Sequence, residues 1–237
     1  MSKIVCNIPH SNTAVPDWAI KDIIIPHDEL VNLIAFMTDK DIDKMWEFVP
    51  TNAKQLATVS RLIVDIERFR NDNDEEMSKK GMGLYYTHTP NGEPFRVRTA
   101  ESYNRCLEIY DEYHSMLEKK VETALAEHDK CIIFDCHSFH DEMAYTDYDN
   151  QSFPDVCIGI NSSITKEAEI VVKAFNSQGY KVKINEPFAG SLVPLKYLDD
   201  KRVNSIMIEL NRRIYEGVNF YSVQEICKNI YNKLNAL

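Results

Sequence analysis

Three short stretches of this chain run from apolar residues directly into side chains that bind metal ions or carry protons. They are KIVCNIPHS at residues 3–11, CIIFDCHSFHDE at 131–142 and VNSIMIELNRR at 203–213. Each reads as a buried strand whose first polar side chains emerge at its C-terminal end. In open α/β sheets that edge is where ligands bind. His10, His137 and Glu209 are therefore expected to meet there, at one hydrolytic metal site. The two histidines offer neutral imidazole nitrogens to a divalent ion. Glu209, partly desolvated at a strand end, would have the raised pKa that suits a general base taking a proton from water. Its alternative is an ion pair with Arg212 or Arg213.

A catalytic zinc commonly takes three protein ligands and keeps one position for water. No HExxH or comparable local motif supplies the third ligand here. Asp65 and Glu67 close another apolar run and are candidates. Asp65 could instead accept the second ring proton of a metal-bound histidine, or pair with Arg61 or Arg68. Asp135 lies two residues before His137, on the same face of the strand, and could accept a ring proton in the same way. His140 is a weaker candidate ligand. His27, His114 and His128, on or beside predicted helices, read as ordinary structural or surface histidines. Arg68, Arg70, Arg96, Arg98, Arg212 and Arg213 fall beside predicted sheet-end loops, where guanidinium groups suit bidentate capture of carboxylates. Solvated surface pairing is the plainer reading of Arg70, Arg98 and Arg213. Cys136, next to His137, is the alternative as a thiol nucleophile.

The elements that must position these residues alternate between strand and helix. Strands are expected at residues 3–8, 56–60, 62–66, 131–135, 156–160, 181–184 and 203–210. Helices are expected from Asp28 to about Trp46 with a break near 38–41, from Thr99 to about His128, at about 165–177 and at about 222–234. Loops 71–93 and 141–154 are long and polar, as functional loops commonly are. The alternation predicts an α/β fold, a mostly parallel sheet flanked by helices on both faces. No repeat or linker divides the chain, so one domain over residues 1–237 is expected.

Composition narrows the function classes. Hydrophobic residues make up 44% of the 237, enough for a sizeable core. Lys and Arg number 27 against 37 Asp and Glu, a formal charge of −10. That balance argues against nonspecific binding of nucleic acid or anionic membrane while allowing a local basic pocket. No run approaches the roughly 18 apolar residues of a membrane span, and the N-terminus lacks the features of a signal peptide. A cytoplasmic location is expected. The six cysteines are scattered and form no CxxC pair, which predicts reduced, buried thiols.

Taken together, several segments resemble the N-formylglutamate amidohydrolase family. They are PHS at 9–11, SRLIVDIERF at 60–69, GMGLYYTHT at 81–89, GEPFR at 92–96, DCHSF at 135–139 and ELNRRIY at 209–215. They follow the family's order and span nearly the whole chain. The resemblance implies a three-layer fold similar to the zinc carboxypeptidases, with a mixed, mostly parallel sheet. It implies a divalent metal, zinc, at His10 and His137, with Asp65 as the candidate third ligand and Glu209 as base. Arg68 resembles the family's carboxylate-binding arginine, with Arg96 or Arg212 beside it. The substrate implied is a small anionic N-acyl amino acid, N-formyl-L-glutamate foremost, hydrolysed to formate and the amino acid. Another N-acyl amino acid or short peptide, or a noncatalytic carboxylate-binding role, are the alternatives. Two departures stand near His10. Thr13 occupies the position from which carboxypeptidases draw a glutamate ligand, and Asn12 replaces the glycine usual after Pro-His-Ser.

Overall fold

A computed structural model describes residues 2–141 and 153–237. They form two compact units interleaved along the chain. The first comprises Met1–Ile8, Asp41–Gln55 and Leu117–Leu237, and the second comprises Pro9–Lys40 and Leu56–Met116. The helices are α1 (Asp17–Ile20), α2 (His27–Met37), α3 (Ile42–Met45), α4 (Ala100–Glu127), α5 (Lys166–Asn176) and α6 (Phe220–Ala236). The strands are β1 (Ile4–Ile8), β2 (Lys54–Leu56), β3 (Cys131–Phe139), β4 (Val156–Gly159), β5 (Val182–Ile184) and β6 (Val203–Asn211).

The first unit is built on a six-stranded mixed sheet in the order β2-β1-β3-β6-β4-β5. β1, β3 and β6 run parallel, β4 is antiparallel to β6, and β5 is parallel to β4. This is the expected α/β architecture. β3 is buried over its whole length and β6 over most of it, so their sequences read as continuous apolar runs, as they must when both sheet faces are covered. Alternation puts Val5, Ile133 and Asp135 on one face and Cys6, Phe134 and Cys136 on the other. The C-terminal half of α4 covers the first face, with Leu117, Val121 and Ala124 packing with Val5 and Ile133. α3 and α6 pack against β3 and β1 respectively, and Trp46 lies 5.5 Å from the Phe134 ring. Beyond Ile133 the same face turns polar, with Asp135 and then His137.

The second unit holds α1, α2, the first half of α4 and long irregular segments around two apolar clusters. Thr99 accepts the Ser102 amide at 3.2 Å, as a residue capping α4 does. Residues 62–66 correct an expectation. They form a buried turn rather than a strand, and of the strand expected at 56–60 only Leu56 is extended, as the end of β2. The backbone explains the turn. The amides of Ile63 and Val64 fold back to Ser60 O at 2.8 and 3.2 Å. The Leu62 and Ile63 carbonyls accept from the Arg96 guanidinium at 3.4 and 2.9 Å. A side chain thus does for this apolar run what a neighbouring strand would have done.

Arg96, expected to help hold substrate, is buried within this unit. It is 2% exposed, lies 3.5 Å over the Tyr85 ring and turns its donors into the protein. Of the loop expected at 141–154, residues 142–152 lie outside the described residues. Replacing Arg96 with Met keeps the aliphatic stem but removes the guanidinium donor from both carbonyls, leaving Ile63 O only the weak Cys106 thiol at 3.3 Å. Arg96→Met should lower stability by about 2–4 kcal/mol in urea unfolding, and an unchanged midpoint would show that other groups satisfy the turn.

Candidate active site

His10 lies two residues beyond β1 and is 3% exposed. Its Nε2 is 2.9 Å from Asp65 Oδ1. Asp65 is fully buried and also accepts from Arg61 at 2.9 Å, Tyr86 Oη at 2.6 Å and the Glu67 amide at 3.1 Å. Arg68 Nε stands 3.5 Å away. Burial alone would push the Asp65 carboxyl up, but the charges of Arg61, His10 and Arg68 hold it well below the usual carboxylate range. An ionised carboxylate only accepts, so Nε2 of His10 carries the proton of this contact. Asp65, expected as a metal ligand or as the holder of a ring proton, stands against the Nε2 edge of the His10 ring.

Asp39 occupies the side of the ring that Asp65 leaves. It follows α2, is 3% exposed, and donates its amide to His10 O at 2.9 Å. Its Oδ2 is 3.6 Å from His10 Nδ1. Sequence reasoning treated this stretch as a helix break and missed it. No local motif marks Asp39, because a turn of backbone brings it to His10. The Asn12 departure has a local reason: its side chain accepts the Ala14 amide and donates to Ala57 O, at 2.8 and 3.0 Å, bracing the turn after His10. Arg68 is partly exposed, and its contacts with Tyr86 Oη and Glu75 are long, 3.4 and 4.0 Å.

On the sheet, His137 Nε2 is 3.0 Å from Asp135 Oδ1. Burial raises the Asp135 carboxyl, but His137 and donors from Leu192 and Asn7 outweigh it and keep the group below its ordinary value. The same argument puts the proton of this contact on Nε2 of His137. Glu209 is 7% exposed and stands in register with His137 on β3 and with Cys157 on β4, so all three side chains leave the same face. Phe139, Phe153, Cys157 and Met207 pack beside them. Arg212 follows β6 at once and is half-buried. Arg213 is committed to Asp141 and Asp155 at 2.6 and 2.9 Å. His140 sits one residue past β3, half-buried. Cys136 points to the opposite face, and burial, then Cys6, pushes its thiol well up, which is unsuited to a nucleophile. All six cysteines are free and buried.

Each unit therefore holds a buried imidazole whose Nε2 is bound to a buried carboxylate. Carboxylate–histidine pairs of this kind orient metal ligands and raise their basicity, so the donor chemistry fits a divalent ion. With a carboxylate in register beside one imidazole, polar groups gather at the strand ends where α/β sheets bind ligands. The sequence model of the N-formylglutamate amidohydrolase family matches residues 2–216, and the chain belongs to that family. No curated protein matches it by sequence. Among solved structures it is similar to an N-formylglutamate amidohydrolase from Ralstonia eutropha, with a TM-score of 0.83 and 21% identity over 99% of this chain and 93% of that one. It is also similar to a gene product of Agrobacterium tumefaciens, with a TM-score of 0.72 and 15% identity over 98% and 88% of the two chains. At these identities the neighbours establish the fold. No helix among the described residues is long and apolar enough to cross a membrane.

Asp65 gives a pH-dependent prediction. Its folded pKa is depressed, so its contribution to stability is present above the unfolded value near 4 and is lost as pH falls toward the folded one. Asp65→Asn should cost about 3 kcal/mol at pH 7, and the gap from wild type should narrow below about pH 4. Urea unfolding from pH 7 to pH 3 checks this; a constant gap would contradict it.

Proposed function

We propose that the protein is a metal-dependent amidohydrolase that cleaves the formamide of N-formyl-L-glutamate, giving formate and glutamate. The observation that carries this reading is the arrangement of His10 and His137, each with Nε2 held by a buried aspartate, with Glu209 in register beside His137. That His10 and His137 share one ion is what the family resemblance implies. Asp39, 3.6 Å from His10 Nδ1, is the further candidate ligand beside His10, with Asp65 supporting His10 rather than ligating. Bound there, a divalent ion, zinc by the choice of donors, would lower the pKa of a water toward about 7 and polarise the formyl oxygen.

The chain's own residues supply the remaining steps. Glu209 takes a proton from the attacking water as its oxygen bonds to the formyl carbon. The C–N bond then breaks, and Glu209 returns the proton to the leaving amine. Arg68 and Arg212 hold the two substrate carboxylates, a task for which guanidinium geometry is suited. Arg96 supports the site indirectly, through the two carbonyls of the turn that carries Asp65.

Formate release from N-formylglutamate should be abolished by exhaustive chelation and restored by zinc. Activity that persists without metal would refute the metal-dependent reading. Glu209→Gln should lower kcat by at least about 100-fold with little change in KM; near wild-type turnover would remove Glu209 as the base. A panel of formyl and acetyl amino acids tests the substrate, and preference for an uncharged side chain would overturn the assignment to glutamate.

A further inference from the structure

The carboxylate that holds His137 is itself held by a loop, and the loop is held by the strand that carries Glu209. Asp135 Oδ2 accepts the Leu192 amide at 2.8 Å, with Ser191 Oγ more distant at 3.4 Å. Leu192 O accepts from Ser205 Oγ at 2.7 Å, and Ser191 Oγ lies 2.6 Å from Ser205 Oγ. A hydroxyl has one proton. If Ser205 gives its proton to Leu192 O, Ser191 must donate in the short contact with Ser205. That leaves the Leu192 amide as the loop's strong donor to Asp135.

Ser205 stands on β6 four residues before Glu209, on the same sheet face, and is 6% exposed. The rest of the loop is fastened to the end of β4. Asn161 accepts the Ser191 amide and donates to Ser191 O, each at 2.8 Å. Asn185, at a positive φ of 55°, accepts the Ile160 and Gly190 amides at 2.8 and 3.3 Å and donates to Ile160 O at 3.1 Å. The approach is so close that a Cβ on Gly159 would lie 2.0 Å from Gly190 O.

We propose that Ser205 and Asn161 are positioning residues for His137, acting through loop 185–192 and the Asp135 carboxylate. Together they aim the Leu192 amide at Asp135, and Asp135 in turn fixes the ring so that Nε2 carries the proton and Nδ1 faces the ligand. The inference rests on the metal-site reading above, but its first consequence concerns the metal-free protein. Partners that orient a ligating histidine commonly change metal affinity by 10–100-fold.

The test uses Ser205→Ala and Asn161→Ala in the full chain. Asn161 is exposed, so its variant should fold even where the buried Ser205 change perturbs the sheet. In metal-free protein with nitrogen-labelled histidine at pH 8, wild type should show His137 as the Nε2–H tautomer. Both variants should show a mixture. Zinc affinity, measured by competition with a chromophoric chelator, should fall about tenfold in each single variant. The double variant should fall little further, because both changes release one loop. A wild-type tautomer in variants whose Leu192 amide has lost protection from hydrogen exchange would overturn the proposal, as would fully additive losses. Should wild type bind no zinc, the metal reading fails, while the tautomer result still decides the positioning claim.

Discussion

A carboxylate removed from water must recover its hydrogen bonds within the protein or lose its charge. Asp65 and Asp135 are both fully buried, and much local structure is arranged to keep them ionised. Around Asp65, a buried turn brings Arg61 and the Glu67 amide onto the group, and Tyr86 closes it from the next segment. Around Asp135, the neighbouring strand supplies Asn7 at 2.8 Å and loop 185–192 supplies the Leu192 amide. In each case an imidazole Nε2 takes a further acceptor position. Satisfying the carboxylate and orienting the histidine are one event.

What could be read from the sequence follows from how far each signal reaches. β3, β6 and α4 were legible because a long buried strand has to be apolar and a long helix has to repeat its apolar face. His137 and Glu209 were legible as polar residues at the ends of such strands, and the register joins them on adjacent positions. Residues 62–66 misled because a short apolar run has no period of its own. Their turn is fixed by Arg96, about thirty residues away, whose guanidinium stands in for a strand. The inward contacts of Arg96 were equally illegible, since an arginine among loops looks alike from sequence whether it faces substrate or backbone carbonyls.

The aspartates show a subtler limit. Sequence could place Asp65 near the histidines but could not choose between ligand and supporting acceptor, because the choice depends on which ring nitrogen it meets. Four donors besides His10 converge on it, which settles its local geometry. Asp39 had no signal at all. It reaches His10 through one backbone hydrogen bond across a turn, a contact between residues 29 positions apart that no pattern of spacing encodes.

The two histidine supports differ in a way that bears on their chemistry. Two guanidinium groups compensate Asp65 with permanent charge. Among the described residues, the donors to Asp135 other than His137 are neutral: an amide side chain, a backbone N–H and a distant hydroxyl. A buried anion held by neutral dipoles keeps more of its field than one paired with cations. His10 in addition has a second buried carboxylate, Asp39, at 3.6 Å from its other ring nitrogen. With no guanidinium among its described donors, Asp135 depends on the placement of the Leu192 amide for more than one ordinary hydrogen bond.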